Sequence, residues 1–292
     1  MNKYLDIAWN SLSGYWNYFW NEVSHPHFEN YFYGLLALSL LVFVLELVRP
    51  WRKGQKVIRK DFWLDFFYMF FNYFFFYMIG FAALSEVSVN LFNDFLSLFG
   101  INNLIALEIN TWPYFLQLLT YFLVVDFVHW NVHVLLHKIP FLWEFHKVHH
   151  SVEEMGFAAH LRFHWAENVF YKSAQYIPLA LIGGFGIDQL IIVHMFQTLI
   201  GHLNHANFDI DYGPLKYIFN NPRMHIWHHA KELPGERRNG VNFGISLSIW
   251  DYIFRTDYIP KCGRDIKLGF EKIEKFPKKF WEQFVYPFIR KG

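Results

Sequence analysis

Residues 126–151 read DFVHWNVHVLLHKIPFLWEFHKVHHS and contain six of the 16 histidines of the chain. His133 and His137 stand four positions apart, and His146 opens an H-x2-H-H motif. Residues three or four apart lie on one face of a helix, with Cβ atoms about 5–6 Å apart, so two imidazoles can reach one metal ion. The stretch therefore predicts helices that carry metal ligands.

A second H-x2-H-H motif is formed by His225, His228 and His229. In such a motif the first histidine can pair with either of the other two, and neighbouring side chains point about 100° apart around a helix of 3.6 residues per turn. One motif can therefore supply ligands to two ions. Five further histidines lie near the motifs in sequence: His129, His160, His164, His202 and His205. We interpret three isolated ones as structural or interfacial: His25, His27 and His194.

The composition is typical of a chain that lies largely in a membrane. Apolar residues make up 54% of it and charged residues 17%, against roughly 25% in typical soluble domains. Three long apolar runs predict transmembrane helices at 31–48, 62–84 and 114–137. Two shorter runs, at 168–183 and 188–203, predict a helical hairpin. We therefore expect an all-α fold: an integral membrane helical bundle whose cytoplasmic-face helical cap carries a histidine-rich dinuclear metal site.

Loop charges indicate the orientation of these helices. The loop at 85–112 contains no lysine or arginine, whereas six bases follow the first run: Arg49, Arg52, Lys53, Lys56, Arg59 and Lys60. The positive-inside rule places the basic loop, and with it both H-x2-H-H motifs, on the cytoplasmic side. We expect a multi-pass integral membrane protein with its active site on that side.

Charge and cysteine content exclude several other classes. The formal net charge is +1, so the chain lacks the basic field that drives nucleic-acid binding. Cys262 is the only cysteine, which excludes a disulfide framework and cysteine-based zinc or iron–sulfur sites. No G-x-G-x-x-G element is present, so electrons for any redox chemistry are expected from a separate protein or a diffusible reductant.

The number and type of the side chains in the histidine motifs indicate how many metal ions to expect and which metals they suit. Eight motif histidines exceed the four ligands of one structural zinc ion, so two ions are expected, and imidazole suits iron, zinc and copper alike. The zinc-protease motif H-E-x-x-H is missing. Iron and O2 chemistry is favoured over hydrolysis, because lipid acyl chains offer C–H bonds to oxidise and not amide bonds to cleave. Two alternatives remain: a membrane zinc-dependent lipid hydrolase and a non-enzymatic metal-handling membrane protein.

Residues 126–151 resemble a pattern of the membrane-bound fatty acid hydroxylase and sterol desaturase superfamily, D-x3-W-x2-H-x3-H-x2-P-x-L-W-x-F-H-x2-H-H-S. Arg162, His164 and Glu167 resemble its R-x-H-P-x-E element. Four shorter elements are also similar: His205-Ala206-Asn207, NPRMHIWHH at 221–229, Asn242-Phe243-Gly244 and Trp250-Asp251. The resemblance covers about residues 115–256. This sequence differs from the family pattern at three positions: His129, Val134 and Trp165. These differences are expected to affect the substrate pocket.

The resemblance implies a di-iron oxygenase that uses O2 and external electrons to hydroxylate or desaturate a lipid such as a fatty acyl chain, sterol or ether lipid. Zinc can substitute for the two iron ions in a purified form. The implied iron ligands are His133, His137, His146, His149, His150, His225, His228 and His229. His164 and His205 are expected as additional ligands, and His160, His202 and His129 are weaker candidates.

Charged residues of the same region are expected to support the ligands. The resemblance places Asp126, Glu167 and Asp251 where each carboxylate accepts the second ring N–H of a ligand histidine. Arg162 and Arg223 are expected to orient those carboxylates or an acidic head group. Three regions follow: an N-terminal membrane region with two transmembrane helices (1–113), a hydroxylase-like catalytic domain (114–256) and a basic cytoplasmic tail (257–292).

Overall fold

The computed structural model describes residues 3–27, 30–72 and 82–288. Its helices are α1 (Lys3–Ser24), α2 (Tyr31–Val48), α3 (Phe62–Phe70), α4 (Ala82–Ser97), α5 (Tyr114–Lys138), α6 (Pro140–His150), α7 (Trp165–Leu181), α8 (Ile187–His205), α9 (Pro222–His228), α10 (Ile249–Phe254) and α11 (Phe280–Val285). Two short parallel strands, Leu107–Glu108 and Ile182–Gly183, pair with each other. The predicted helical architecture is thus confirmed for the described residues.

Two helices are long and apolar enough to cross a membrane, among the residues that the structure describes. They are α2, with a mean hydropathy of 2.2, and α5, with a mean hydropathy of 1.4. Asn30 caps α2, since its side chain accepts a hydrogen bond from the Tyr33 backbone N–H. Pro113 immediately precedes α5, where its fixed φ favours a helix start. The predicted bounds of both helices are confirmed, while the number of crossings and their orientation stay predictions.

The second predicted span is covered only in part. Residues 62–72 are helical, residues 73–81 lie outside the described part, and α4 begins at Ala82. The expected loop at 85–112 is therefore wrong in its first half. Asp94 of α4 accepts hydrogen bonds from Lys3 Nζ at 2.5 Å and Tyr4 Oη at 2.8 Å, so α4 lies against α1. We attribute the helix in this polar stretch to its packing against α1 and not to a length that spans the membrane.

The predicted hairpin is present as α7 and α8. The chain reverses between them at Gly184, which has a φ of +99° that glycine adopts readily. A Cβ at Gly184 would lie 2.5 Å from the backbone nitrogen of Asn110, so the turn also needs the absence of a side chain. How deeply the hairpin enters a membrane stays a prediction.

Residues 257–288 pack against the rest of the chain, so the description as a tail is wrong for this part. Phe276 and Phe280 form a buried cluster with Tyr68 of α3 and Val148 of α6. Leu268 belongs to a second cluster beneath α9. The regional boundaries at 113 and 256 stay predictions.

Glu46, near the end of α2, joins α2 to the histidine-bearing segments. Its carboxylate accepts the backbone N–H groups of Phe157 at 2.8 Å and Asn207 at 2.6 Å. Asn207 follows α8 directly, and Phe157 begins a short 3-10 helix that packs on α8. One carboxylate therefore positions both chain segments that flank the histidines of α8.

We expect Glu46→Ala to destabilise the protein, because two backbone donors lose their acceptor at about 1–3 kcal/mol each. Glu46→Gln keeps an acceptor oxygen and should cost less. The thermal unfolding midpoint of the purified protein in detergent measures the effect. Glu274→Ala, at an exposed position, is the matched control. Equal midpoints for Glu46→Ala and Glu274→Ala would contradict the assigned link.

Candidate metal centre

Nine buried or half-buried histidines from α5, α6, α8 and α9 converge in two groups. The first group consists of His133, His137, His146, His150 and His228. The second group consists of His149, His205, His225 and His229. Within each group the candidate ligand nitrogens all lie within 4.8 Å of one another. Each group can therefore hold one metal ion.

Each H-x2-H-H motif is divided between the two groups. In α6, His146 and His150 belong to the first group and His149 to the second. The motif at α9 is divided in the opposite sense, with His225 and His229 in the second group and His228 in the first. Residues at i and i+4 share a helix face, and the histidine between them belongs to the other group. Each motif therefore joins the two groups, so the groups are connected through both α6 and α9.

His164 does not join either group, in contrast to its expected role as a ligand. It is the N-cap of α7, and its Nδ1 accepts the Ala166 backbone N–H at 3.1 Å. Its Nε2 lies 2.9 Å from the Phe284 carbonyl oxygen, to which it donates. Both ring nitrogens are thereby occupied. His205, by contrast, ends α8 and joins the second group.

Two of the three weaker candidates, His160 and His202, lie beside the second group. The ring of His160 is 5.3 Å from that of His205, and a Cβ at Gly201 would lie 2.1 Å from its Nε2. His202 bonds Ser39 Oγ at 3.1 Å and the Phe157 carbonyl at 3.1 Å. His202 therefore links α8 to α2 and is not aimed at a group.

Backbone carbonyl oxygens fix the orientation of four of the grouped histidines. In each case Nδ1 lies at hydrogen-bond distance from a carbonyl oxygen, so Nδ1 carries the proton and Nε2 presents its lone pair. The pairs are His133 with Phe243 (2.7 Å), His149 with Arg162 (3.0 Å), His205 with Gly201 (2.8 Å) and His228 with Val241 (2.8 Å). The lone pairs are therefore directed into the groups.

The imidazole nitrogens that point into each group lie so close together that their lone pairs repel each other unless a cation lies between them. His149 and His205 have Nε2 atoms 3.2 Å apart, and those of His133 and His146 are 3.1 Å apart, while the Nδ1 atom of each of the four already bonds an oxygen. The Nε2 of His137 is buried and makes no hydrogen bond within the described residues. Facing lone pairs repel each other, whereas a bound cation makes the same arrangement favourable. The residues present fit metal ions.

Burial also keeps these imidazoles neutral, which is the form that binds metals. Desolvation lowers the pKa of His149 to about 3 and the pKa values of His225, His228 and His229 well below the usual 6.5. Metal binding to these residues thus does not have to displace protons at neutral pH.

Of the three carboxylates predicted to contact ligands, Glu167 does so. Its Oε2 lies 2.7 Å from His146 Nδ1, and its Oε1 accepts the His164 backbone N–H at 3.1 Å. Glu167 is 1% exposed. It therefore fixes His146 in the same way that carbonyl oxygens fix the other histidines.

Asp126 and Asp251 support the grouped histidines indirectly and not through the direct contact that was expected. Asp126 accepts the indole N–H of Trp250 at 3.0 Å, and Asp251 accepts the backbone N–H groups of Phe243 at 2.9 Å and Gly244 at 2.8 Å. Neither contacts a histidine in the described structure. They hold the segment at 243–251 against α5, and this segment supplies the Phe243 carbonyl that orients His133. The sequence pattern reveals the residues but not this indirect contact.

The two arginines also differ from expectation. Arg162 Nε bonds buried Asp65 at 2.5 Å, while its own carbonyl orients His149. Arg59 bonds the other oxygen of Asp65 at 2.6 Å. Arg223 pairs instead with Asp209 and Asp211 at the surface. Sequence reasoning missed the role of Asp65, although a carboxylate within an apolar run is itself a signal.

A cavity adjoins both groups and extends between α5, α7 and α8. Its inner end is lined by His133, His146, His149, His205 and His225. Its outer end is lined by apolar side chains that include Val125, Leu190 and Val193. An elongated apolar molecule placed here would have one end beside the histidines.

Comparison with known proteins identifies this region. The model of the fatty acid hydroxylase family matches residues 118–256, in agreement with the resemblance to the fatty acid hydroxylase and sterol desaturase superfamily. All nine histidines of the two groups lie within the matched residues. No solved structure matches the chain significantly.

Three relatives illustrate the similarity. The ornithine lipid hydroxylase OlsE of Rhizobium tropici is 34% identical over 62% of this chain and 53% of its own length. The very-long-chain aldehyde decarbonylase GL1-10 of Oryza sativa subsp. japonica is 31% identical over 48% of this chain and 46% of its own. The alkylglycerol monooxygenase of Homo sapiens is 33% identical over 46% and 29%. The chain thus spans about half or less of the length of these relatives.

Removal of single histidines distinguishes the two groups. We expect His149→Ala to lose metal from the second group and His137→Ala to lose it from the first. His164→Ala should retain the metal content of the unaltered protein, because His164 lies outside both groups. Elemental analysis of purified protein measures the content, with gel filtration to verify folding. A folded His164→Ala protein as metal-poor as His149→Ala would contradict the grouping.

Loss of the Glu167 carboxylate should weaken metal binding about 10–100-fold, the usual effect of removing a partner that orients a ligand. Glu167→Gln retains an acceptor oxygen and should lie between the unaltered protein and Glu167→Ala. Competition with a chelator of known affinity gives the measurement, and exposed Glu232→Ala is the control. Unchanged affinity in Glu167→Ala would show that His146 needs no such partner.

Proposed function

We propose that this chain is a membrane-bound oxygenase that uses O2 and external electrons to hydroxylate or desaturate a lipid. The observation that carries the proposal is the pair of histidine groups with lone pairs directed inward beside an elongated cavity. The similarity to a lipid hydroxylase and an alkylglycerol monooxygenase supports the same reaction class.

Two iron ions are the cofactor that this donor set fits. The first group would hold one and the second group the other. Imidazole ligands suit iron, and a bound iron pair supplies the redox chemistry that O2 requires. Zinc can occupy the same ligands in purified protein.

The residues of the chain orient the imidazoles, bind the lipid chain and shield the site from water. The carbonyl oxygens at Phe243, Arg162 and Val241, together with Glu167, hold the imidazoles in one tautomer. Asp126, Asp251 and Arg162 position these acceptors and are not themselves in contact with the reacting atoms. The apolar outer cavity holds the lipid chain and excludes water from the inner end.

The electrons are supplied by a separate redox protein or a diffusible reductant. The bases at 49–60 lie on the side that the positive-inside rule assigns to the cytoplasm. A multi-pass arrangement with the histidine groups at this face places them within reach of a cytoplasmic donor, and the basic surface suits an acidic one.

Turnover with isotopic oxygen tests the proposal. We expect iron-loaded protein in lipid vesicles, given a chemical reductant and 18O2, to form an oxidised lipid: a hydroxylated one contains 18O, and a desaturated one lacks two hydrogens. His149→Ala should remove the activity and leave membrane insertion unchanged. Mass spectrometry of the lipid extract detects the product. Release of free fatty acid by a zinc-loaded protein without O2 would instead establish a lipid hydrolase.

A further inference from the structure

The first helix, α1, carries a row of large apolar side chains on its exposed surface. Helix geometry places the members of this row, which we name the tryptophan stripe, within about 80° of one another: Leu5, Trp9, Leu12, Trp16 and Trp20. The three indoles are more than half exposed, from 51% at Trp16 to 67% at Trp9. Single exposed apolar side chains are common on protein surfaces, whereas an aligned row of them marks an interaction surface.

Two further sectors of α1 flank the tryptophan stripe. On one side α1 meets the rest of the protein: Tyr4 Oη donates to Asp94 of α4 at 2.8 Å, and Glu22 is buried. On the other side lies a polar sector whose members are all exposed: Asn10, Asn17 and Asn21. A helix with adjoining apolar and polar sectors is typical of a helix at a membrane surface, where one sector meets lipid and the other meets water.

The C-terminal end of α1 is joined to the start of α2, a helix of membrane-spanning length. Glu22 Oε2 accepts the Tyr31 backbone N–H at 3.0 Å, and the Glu22 carbonyl accepts a hydrogen bond from Asn30 Nδ2 at 2.7 Å. From there the 18 residues of α2 extend about 27 Å, which nearly equals the thickness of the hydrocarbon core. The basic loop begins at Arg49, so α1 lies at the opposite end of this crossing.

The two ends of α1 lie at the same height of the bundle. At the N-terminal end α1 contacts Asp94, whose neighbour Asn93 accepts a hydrogen bond from Tyr176 of α7 at 3.1 Å. At the other end, Tyr31 bonds His194 of α8 through its hydroxyl group. Tyr176 and His194 each lie about two helical turns from the loop that joins α7 to α8. Because both ends meet the bundle at one height, α1 runs across the bundle and not along it.

The chemistry of the tryptophan stripe suits a lipid surface. Tryptophan is enriched at membrane–water interfaces because its ring is apolar and its N–H is polar. The single base of α1, Lys3, bonds Asp94 of α4, so attraction by anionic head groups is not the main force. The stripe also adjoins a helix with an exposed apolar surface, since Leu40 and Val44 of α2 are exposed. Lipid contact can therefore continue from α2 to α1.

We propose that α1 lies parallel to the membrane surface on the side opposite to the basic residues 49–60, with the tryptophan stripe inserted at head-group depth. The partner is a phospholipid bilayer, which the indole rings recognise without a requirement for anionic lipids. By this contact α1 holds the start of α2 at one depth in the bilayer. The inference rests on α2 as a membrane crossing and is independent of the oxygenase reaction.

Spin labels at single cysteines measure the depth of the tryptophan stripe. Cys262 is the only cysteine of the chain, so Cys262→Ser provides a background for labelling. Labels are attached at Trp9→Cys and Trp20→Cys on the stripe, at Asn10→Cys on the polar sector and at Leu40→Cys within α2. The full metal-loaded chain is placed in phosphatidylcholine vesicles, and collision rates with O2 and with a water-soluble nickel chelate give the depths. Metal content and gel filtration verify the folding of each variant.

The depths distinguish a surface helix from the other arrangements. We expect both stripe labels about 5–10 Å below the head groups, the Asn10→Cys label in contact with the nickel chelate, and the Leu40→Cys label deepest. Addition of phosphatidylglycerol should leave these depths unchanged. Trp9 and Trp20 lie about 16 Å apart along α1, so a depth difference of that size would show a membrane-crossing α1 and overturn the proposal.

Three further results would also overturn it. Stripe labels shielded from O2 and from the nickel chelate alike would indicate a protein contact, such as a second copy of this chain. Insertion that occurs only with phosphatidylglycerol would show that charge and not the indole rings drives the contact. A shallow label at Leu40→Cys would remove the crossing on which the inference rests. Because no measurement involves turnover, failure of the oxygenase proposal leaves these outcomes unaffected.

Chemical labelling of spheroplasts tests the side of the membrane. Cys262 is exposed and lies on the basic side, since Arg52 Nε donates to the carbonyl of nearby Arg264 at 2.6 Å. A membrane-impermeant maleimide should modify Asn17→Cys in intact spheroplasts, and it should modify Cys262 of the unaltered chain only after lysis. Modification of Cys262 before lysis, with Asn17→Cys protected, would overturn the assigned side.

Discussion

The hydrogen bond from the Nδ1–H of a grouped histidine to a fixed oxygen is the interaction on which the rest of the site depends. An imidazole can rotate about its side-chain bonds and exchange tautomers, so spacing along a helix alone does not direct a lone pair. Here the Phe243, Arg162, Val241 and Gly201 carbonyls and the Glu167 carboxylate remove that freedom. The loops that bear these oxygens are consequently as important to the centre as the helices that bear the histidines.

Buried charges hold those loops in place. Asp65 is fully buried between Arg59 and Arg162, and Asp251 is fully buried among backbone and side-chain donors. Burial disfavours an isolated carboxylate strongly, but hydrogen bonds to several donors offset the cost and fix one geometry. The charged side chains therefore support the chain segments that carry acceptors, and of Asp65, Asp126, Asp251 and Glu167 it is Glu167 that contacts a grouped histidine directly.

Much of this arrangement follows from local sequence, and the rest depends on tertiary contacts. Tyr31–Val48 and α5 are recognisable from apolar runs of membrane-spanning length, and helix geometry allows each H-x2-H-H motif to serve two ions. His164 resembles a ligand in sequence, yet its position at the start of α7 makes it a cap. The carbonyl acceptors are invisible in sequence because every residue has one.

The division of the two motifs has a mechanical consequence. Each of α6 and α9 carries histidines of both groups, and α6 has only 11 residues and α9 only 7. The separation of the two groups is therefore set within single rigid helices and is insensitive to the tilt of α5 against α8. The cavity, by contrast, is bounded by α5, α7 and α8 and changes width whenever these helices shift. Movements of α5, α7 and α8 can thus change the width of the cavity without changing the separation of the two histidine groups.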